Sequence, residues 1–404
     1  SRRVRMLFRE QTRFALRTGL RSGRLLKFVV ITTIFALSAC SSPAPTLSLP
    51  PTLDPSAPVS LTEPTTPAET ATALPATATL APTAAPASDA VPCPLTGLDV
   101  SKSLLESRRP LLVQIGNSNP ERPQFGLAQA DLVFETIAEG GITRFSAIYL
   151  CQDATDIAGV RSGRLIDLQL LPIFDAIFVH VGASEQVQKM FEDDKTIRDS
   201  SLDFFRSAPG FTQQPDRRRA PFDVFTSTDA LYAAAREEGI AVPGDAPPHQ
   251  LNFSDAPPAG GVPASSGTVK HHSGYWVRWK WNAGEGVWER YITNDTAPGT
   301  DTPHVDAATG RVLTAANVLV IQAPHEQTDI IEDSLNSRSV RVNLIGSGVA
   351  TLFRDGQTFV GAWKRDNATD FFTLTLADGS TMTLHPGNTF IHLYPTTFKL
   401  DVKQ

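Results

Sequence analysis

Cysteine is scarce, long apolar runs are missing, and positive charge is thin over most of the chain. Each shortage removes a class of protein. Three cysteines in 404 residues exclude a disulfide-dense scaffold. A membrane-spanning helix needs roughly 20 consecutive apolar residues, and the lack of repeated runs of that length excludes a multi-pass membrane protein. Residues 1–39 hold nine Arg or Lys against one acid, Glu10, which leaves 27 basic and 41 acidic groups in the rest. An acidic body lacks the field that draws in a phosphate backbone, so nucleic acid is not expected as a partner. Signatures of common envelope enzymes are also missing. There is no Gly-x-Ser-x-Gly elbow, no Ser-x-x-Lys and no phosphate-cradling loop ending in Gly-Lys-Ser/Thr. His325-Glu326 is followed by Gln-Thr-Asp, which breaks the zinc-protease pattern, and His304-x-Asp306 has no third ligand at a recognisable spacing. No metal and no cofactor are expected, and His271-His272 reads as a solvated loop pair.

What is present begins with a secretion signal over residues 1–39. Arg21, Arg24 and Lys27 form a positive region, Phe28 to Leu37 an apolar stretch of ten, and Leu37-Ser38-Ala39-Cys40 resembles a lipobox. Small residues suit a peptidase that cuts before Cys40, whose thiol would take diacylglycerol and, with palmitate, hold the chain to a bacterial membrane. The expected location is extracytoplasmic. Ser1 stands where Met is expected, which places the start at Met6 or upstream. Ser41 to Pro92 is a tract of 52 residues with 12 Pro, no aromatic residue and no Lys or Arg. It can bury no core, and at ~3.1 Å per residue in polyproline form it reaches on the order of 160 Å. Residues 40–92 therefore read as a lipidated cysteine and its linker. Cys93 and Cys151 remain as an even pair outside the membrane and predict a disulfide.

Residues 93–404 are enough for two domains. In 93–258, the apolar runs 111–116, 131–138, 144–150 and 176–182 look like strands, while 165–171 and 231–238 look helical, the second with Thr228-Asp229 as its N-cap. Strands this apolar are usually covered on both faces, which predicts a layered α/β domain. After a Pro/Gly-rich break, in which 249–253 reads as a short strand, residues 268–404 show short strands at 275–281, 287–291, 318–321, 340–344, 349–353 and 371–376. Turn signals such as Asp355-Gly356 separate them, so a mostly β domain is expected. Four of the five Trp fall in 276–288; Trp279 and Trp281 share a strand face and read as core.

The densest polar constellation is Glu135, then Glu139-Gly140-Gly141-Ile142-Thr143-Arg144, then Arg161-Ser162-Gly163-Arg164, then His180. Each group lies at a strand end or helix start, where layered α/β domains bind ligands. Gly140 and Gly141 permit a tight turn, Ser162 is placed to cap the next helix, and three Arg offer bidentate grips for carboxylates. The same residues also make an internal network in which Glu135 and Glu139 pair with Arg144, Arg161 and Arg164.

These residues, with Arg109-Pro110, Asn117, Arg122-Pro123-Gln124, Gly126, Ala130-Asp131, Asp175 and Gly182, resemble the YerB-like lipoproteins, a two-domain family of unknown function. The resemblance continues through Asn317, Gly346-Ser347-Gly348, Asp355-Gly356, Trp363 and Pro386-Gly387-Asn388. Two places depart from the pattern: Ala158-Gly159 stands where Gly-Pro is expected, and Phe222-Asp223 where His-Asn is expected. The second removes an imidazole, which favours binding over catalysis. The reading is a lipid-anchored protein that binds an anionic envelope ligand, such as a peptidoglycan stem carboxylate, or a partner protein, through Glu135, Glu139, Arg144, Arg161, Ser162, Arg164 and His180. The alternatives are a cell-envelope hydrolase using Glu135 or Glu139 as general base with His180, and a structural partner in a membrane complex.

Overall fold

Side chains alternate across a strand with a period of two, and in this chain both sets are apolar, so the strands are buried on both sides. In Leu132–Ile137, Leu132 and Phe134 belong to one core cluster and Val133 to another. The computed structural model describes residues 89–242, 251–272, 274–293 and 300–404. The signal, Cys40 and the tract as far as residue 88 lie outside them, as do residues 249 and 250 of the expected short strand.

One sheet takes strands from both expected domains. From edge to edge it runs Val262–Pro263, Gln357–Arg365, Gly346–Arg354, Asn317–Ala323, Thr389–Pro395, Leu132–Ile137, Thr143–Tyr149, Leu111–Gly116, Ile177–His180 and Ser201–Asp203, with Thr373–Leu376 paired to Gln357–Arg365. The seam is parallel: the 389–395 strand lies between 317–323 and 132–137, with His392 opposite both Val320 and Glu135. Asp355 and Gly356 both take positive φ, 50° and 68°, which closes the 346–354 and 357–365 hairpin as a two-residue primed turn.

One face of this sheet carries Leu112, Phe134, Ile148, Leu319 and Ile391, and packs on helices Asp167–Phe174 and Glu185–Asp193 through Leu170, Phe174 and Phe191. The opposite face carries Val113, Val133, Phe145, Val320 and Phe390. It packs on helix Thr228–Glu237 and on a second, six-stranded antiparallel sheet built mainly from Ser266–His272, Tyr275–Asn282 and Val287–Thr293. Trp279 and Trp288 fill that interface and Trp281 tilts against Trp288 at 5.3 Å, so the tryptophan cluster is largely core. Strands dominate throughout, and the longest described helix has ten residues. A sheet, rather than more helices, covers much of the second face.

Several local expectations are corrected. Ala90–Pro92 pairs with Asp99–Ser101, so the last linker residues belong to the folded part. Helix 167–174 starts after Ile166 without a side-chain cap; Asp167 accepts from Arg164 N at 2.7 Å, and Ser162 caps nothing. Ser227, not Thr228 or Asp229, caps the 228–237 helix by accepting from Ala230 N at 3.2 Å. The strands Gln357–Arg365 and Thr389–Pro395 were not expected. The first mixes Gln, Gly, Lys and Arg into its run, and the second has His392 at its centre and Pro395 at its end.

Cys93 and Cys151 are joined by a disulfide across 58 residues of sequence, tying the start of the folded part to the end of a core strand. Asp131 supports this junction by accepting from Leu150 N at 2.6 Å and Cys151 N at 2.8 Å. Loop-closure entropy for 58 residues sets an expected loss of about 4 kcal/mol on replacing both cysteines by alanine. Denaturant unfolding without reductant checks this, and equal midpoints for variant and wild type would refute it.

Candidate functional site

Glu135 sits in mid-strand, facing the second sheet, with no exposed side-chain surface. A charge in such a place needs a partner and a full set of hydrogen bonds. Arg290, equally buried on the 287–293 strand, donates from Nη2 to Glu135 Oε2 at 2.8 Å and to Tyr275 Oη at 2.9 Å. Glu135 Oε1 accepts from Thr143 Oγ1 at 2.7 Å and Tyr275 Oη at 3.1 Å, with Asn117 Nδ2 at 3.2 Å. A second route closes the ring. Arg290 Nε donates to His304 Nδ1 at 2.9 Å, His304 Nε2 then donates to Gln124 Oε1 at 2.6 Å, and Gln124 Nε2 donates to Asn117 Oδ1 at 2.9 Å. Burial alone would raise the Glu135 pKa, but the Arg290 guanidinium, with the hydrogen bond from His392, outweighs it and holds the carboxyl well below its usual range.

Glu135, His271 and His392 have the residue types of a metal centre, and their ligand atoms lie within 4.8 Å of one another. The hydrogens decide against that use. Trp279 Nε1 is only a donor, and it points at His392 Nε2 from 2.8 Å. The neutral His392 ring therefore carries its proton on Nδ1, facing Glu135 Oε2 at 3.2 Å and His271 Nε2 at 3.0 Å. A proton occupies the position a cation would need, and the Arg290 guanidinium lies against the same carboxylate oxygen. Burial lowers the pKa of His392, of His304 and, to about 3, of His271. His271 is thus a core residue, which corrects the solvated-loop expectation for it; His272 beside it is exposed.

The remaining constellation gathers on the helix side of the same sheet. Gly140 and Gly141 adopt φ of 64° and 76°, and this turn returns the chain so that Glu139 faces Arg144 and Arg164. Arg164 grips Glu139 with two nitrogens, Nε to Oε2 at 2.6 Å and Nη2 to Oε1. Arg144, 3% exposed, reaches Glu139 Oε1 only at 3.6 Å, and its Nε and Nη1 have no hydrogen-bond partner among the described residues. Arg161 pairs with Glu121 at 2.9 Å and donates to Pro221 O at 3.1 Å, with its guanidinium over the Phe222 ring. Burial would raise the Glu139 carboxyl, but Arg164 and Arg144 bring it to about 2, whereas burial lifts nearby Asp167 to about 7. Ser162 is half-buried beside this group.

The structure therefore splits the seven expected residues. Glu139, Arg144 and Arg164 come together, whereas Arg161, near enough to Arg144 to lower its pKa, is paired with Glu121 and packed on Phe222. Glu135 joins a separate network through Thr143. His180 shares its sheet face with Phe178, whereas Glu135 shares the opposite face with Val133. His180 stacks on Phe178 at 4.1 Å, and its nitrogens meet Gly182 O and Ser201 Oγ. The pairing of His180 with Glu135 imagined for a hydrolase is not formed, and Glu139 is held ionised by two Arg instead of being tuned toward neutrality. Sequence reasoning missed Arg290, Tyr275, His271, His392 and Asn117 as partners of Glu135. The one signal for them was that Glu135 interrupts an otherwise apolar strand and so requires a buried cation.

Comparison with known proteins places the same chain. Residues 95–241 match the family described as "Protein of unknown function (DUF3048) N-terminal domain", and residues 268–391 match its C-terminal domain. The "Putative lipoprotein YerB" of Bacillus subtilis is 31% identical over 314 residues, covering 76% of this chain and 89% of that protein. A crystal structure of the YerB protein from Bacillus subtilis superposes with a TM-score of 0.65 at 26% identity, covering 78% of this chain and all of that one.

Two outcomes follow from the buried network. Arg290→Met leaves the Glu135 charge without its cation and is expected to cost about 3–5 kcal/mol, whereas Glu135→Gln combined with Arg290→Met recovers a large part of that loss. Urea unfolding of the single and double variants measures this, and additive losses would refute the pairing. His271 binds no proton in the fold until about pH 3, while the unfolded chain takes one up near its ordinary value of 6.5. Its contribution is fully present above that value and is lost as pH falls toward 3. Between those limits the wild type should lose about 1.4 kcal/mol per pH unit more than His271→Gln. Parallel pH profiles of unfolding free energy would refute the lowered pKa of His271.

Proposed function

The chain belongs to the family of YerB, the DUF3048 proteins, and from that premise we propose that it is a lipid-anchored extracytoplasmic protein that binds an anionic cell-envelope ligand. Cys40 is the lipid attachment point in this reading, and the Pro-rich tract is the tether. No described helix is long and apolar enough to cross a membrane. The ligand group is a carboxylate, as at the end of a peptidoglycan stem peptide, and it lies against Arg144, Arg161 and Arg164.

The observation that carries this reading is the unfinished coordination of Arg144. Its Nε and Nη1 are buried without acceptors among the described residues, while its nearest carboxylate there, Glu139, is already bound by two nitrogens of Arg164. Orphaned charged donors are costly, and an anionic oxygen removes the cost. A cavity of about 10 Å³ adjoins them, lined by Glu139, Arg144, Arg164, Ser339 and Val340. That is room for one water-sized group, such as a single carboxylate oxygen. Side-chain exposure rises from 3% at Arg144 to 12% at Arg164 and 26% at Arg161, so the approach is from the Arg161 side. Phe222, which stands where the family pattern suggests an imidazole, packs there against Arg161. Binding without bond cleavage suits a site whose acid–base group is absent.

The test uses the full chain in detergent, with intact peptidoglycan and the tripeptide N-acetyl-lysyl-D-alanyl-D-alanine as probes. Arg161→Ala with Arg164→Lys keeps a cation beside Glu139 while removing the fork, so the fold should survive. Expected is retention by peptidoglycan and a rise in melting temperature with the tripeptide, both lost in the double variant. Retention that the variant leaves unchanged, or no binding by a folded wild type, overturns the proposal.

A further inference from the structure

Trp276 of the 276–288 cluster lines a cavity. It is half-buried, on the outer side of the second sheet. With Lys270, His272, Tyr394, Phe398 and Lys399 it lines a groove of about 320 Å³. That volume falls within the range of small-molecule sites. Three elements build it. Lys270 and His272 come from the 266–272 strand, Trp276 from its hairpin partner, and Tyr394, Phe398 and Lys399 from the end of the 389–395 strand and the turn after it. The wall is fixed where it meets the core. Tyr394 is fully buried, accepts from Lys270 N at 3.3 Å, donates to Lys399 O at 3.2 Å and packs edge-on against Phe398 at 5.6 Å. His272 lies against Gly141, where an added Cβ would come within 2.7 Å of its ring.

The lining has two ammonium groups, three aromatic rings and no carboxylate. That is a local inversion in a chain whose residues beyond 39 carry 41 acids against 27 bases. Neither lysine has an ion-pair partner among the described residues, and Lys270 Nζ instead rests over the Trp276 ring at 4.5 Å. Such a contact is weak where water still reaches it, so an anion can draw the ammonium away and free the ring face. Phe398 keeps 38% of its surface exposed, a large apolar side chain beside a cation. Aromatic faces next to donors of positive charge suit a ligand with an apolar C–H face and an anionic substituent.

We propose that this groove binds an acidic saccharide, with a sugar ring against Trp276 and Phe398 and its carboxylate or phosphate paired with Lys270 and Lys399. The site is separate from the arginine cluster and independent of the function proposed for it. Tetragalacturonate supplies the carboxylate, glucose 6-phosphate the phosphate and cellotetraose a neutral control. Binding to the full chain in detergent is followed by saturation-transfer NMR and tryptophan fluorescence. At least one acidic probe is expected to bind about tenfold more tightly than cellotetraose. Lys270→Ala with Lys399→Ala should abolish that preference, Lys270→Arg with Lys399→Arg should restore it, and Phe398→Ala should weaken every probe. These are surface positions, and an unchanged melting temperature verifies the fold. No saturation transfer from either acidic probe up to about 5 mM, equal binding of cellotetraose, or affinity unchanged in the double alanine variant overturns the inference. The arginine-cluster variant Arg161→Ala/Arg164→Lys should bind the acidic probes normally, which separates a failure at one site from a failure at the other.

Discussion

The ion pair between Glu135 and Arg290 is the constraint on which the arrangement of both halves depends. A carboxylate in the middle of a buried strand is tolerable only if a cation and several donors are brought to it, and here the cation and most of the donors come from the other half of the sequence. Arg290 and Tyr275 arrive on the second sheet and His392 on the neighbouring strand of the first. The two sheets cannot slide or separate without stranding a charge. Buried ion pairs are poor evidence of net stability, since the loss of hydration offsets much of the attraction. What this one supplies is register, because an apolar interface alone would accept neighbouring alignments at little cost.

The same alternation that aims Glu135 at the second sheet aims Arg144, one position out of phase on the next strand, at the helices. Thr136 pairs with Arg144 and Ile137 with Thr143, so the strand pair sends Thr143 to the buried ring and Arg144 to the arginine cluster. Two polar networks of opposite design result. The ring around Glu135 is closed and nearly satisfied, and it serves the fold. The cluster around Glu139 leaves two buried nitrogens of Arg144 without acceptors among the described residues, and the proposed binding role rests on that difference.

Much of this was legible in the residues. The even cysteine pair left once Cys40 is set aside indicated the disulfide, and the apolar runs 111–116, 131–138 and 144–150 mark real central strands. The meeting of Glu139, Arg144 and Arg164 followed from strand ends and a Gly-Gly turn, while Arg161 turned to Glu121 instead. His180 was misread as part of that group because its position along the strand was visible but its sheet face was not. Arg290 and His392 were missed for a related reason. One lies in a run of alternating polar and aromatic residues that fits a solvated sheet face equally well, and the other interrupts a strand that its own sequence hides.

By itself the sequence determined the strand periodicity, the turns at Gly140-Gly141 and Asp355-Gly356, the disulfide partners and the signs of charge available. These depend on local stereochemistry or on residue counts, which distance along the chain does not alter. Only the tertiary structure decided that 389–395 would lie parallel beside 132–137, that Arg290 would cross from the second sheet to meet Glu135, and that Trp276 would share a groove with Lys399. Each of those pairs is separated by more than a hundred residues. Their meeting is set by which apolar faces bury each other, and that is a property of the assembled layers rather than of any segment.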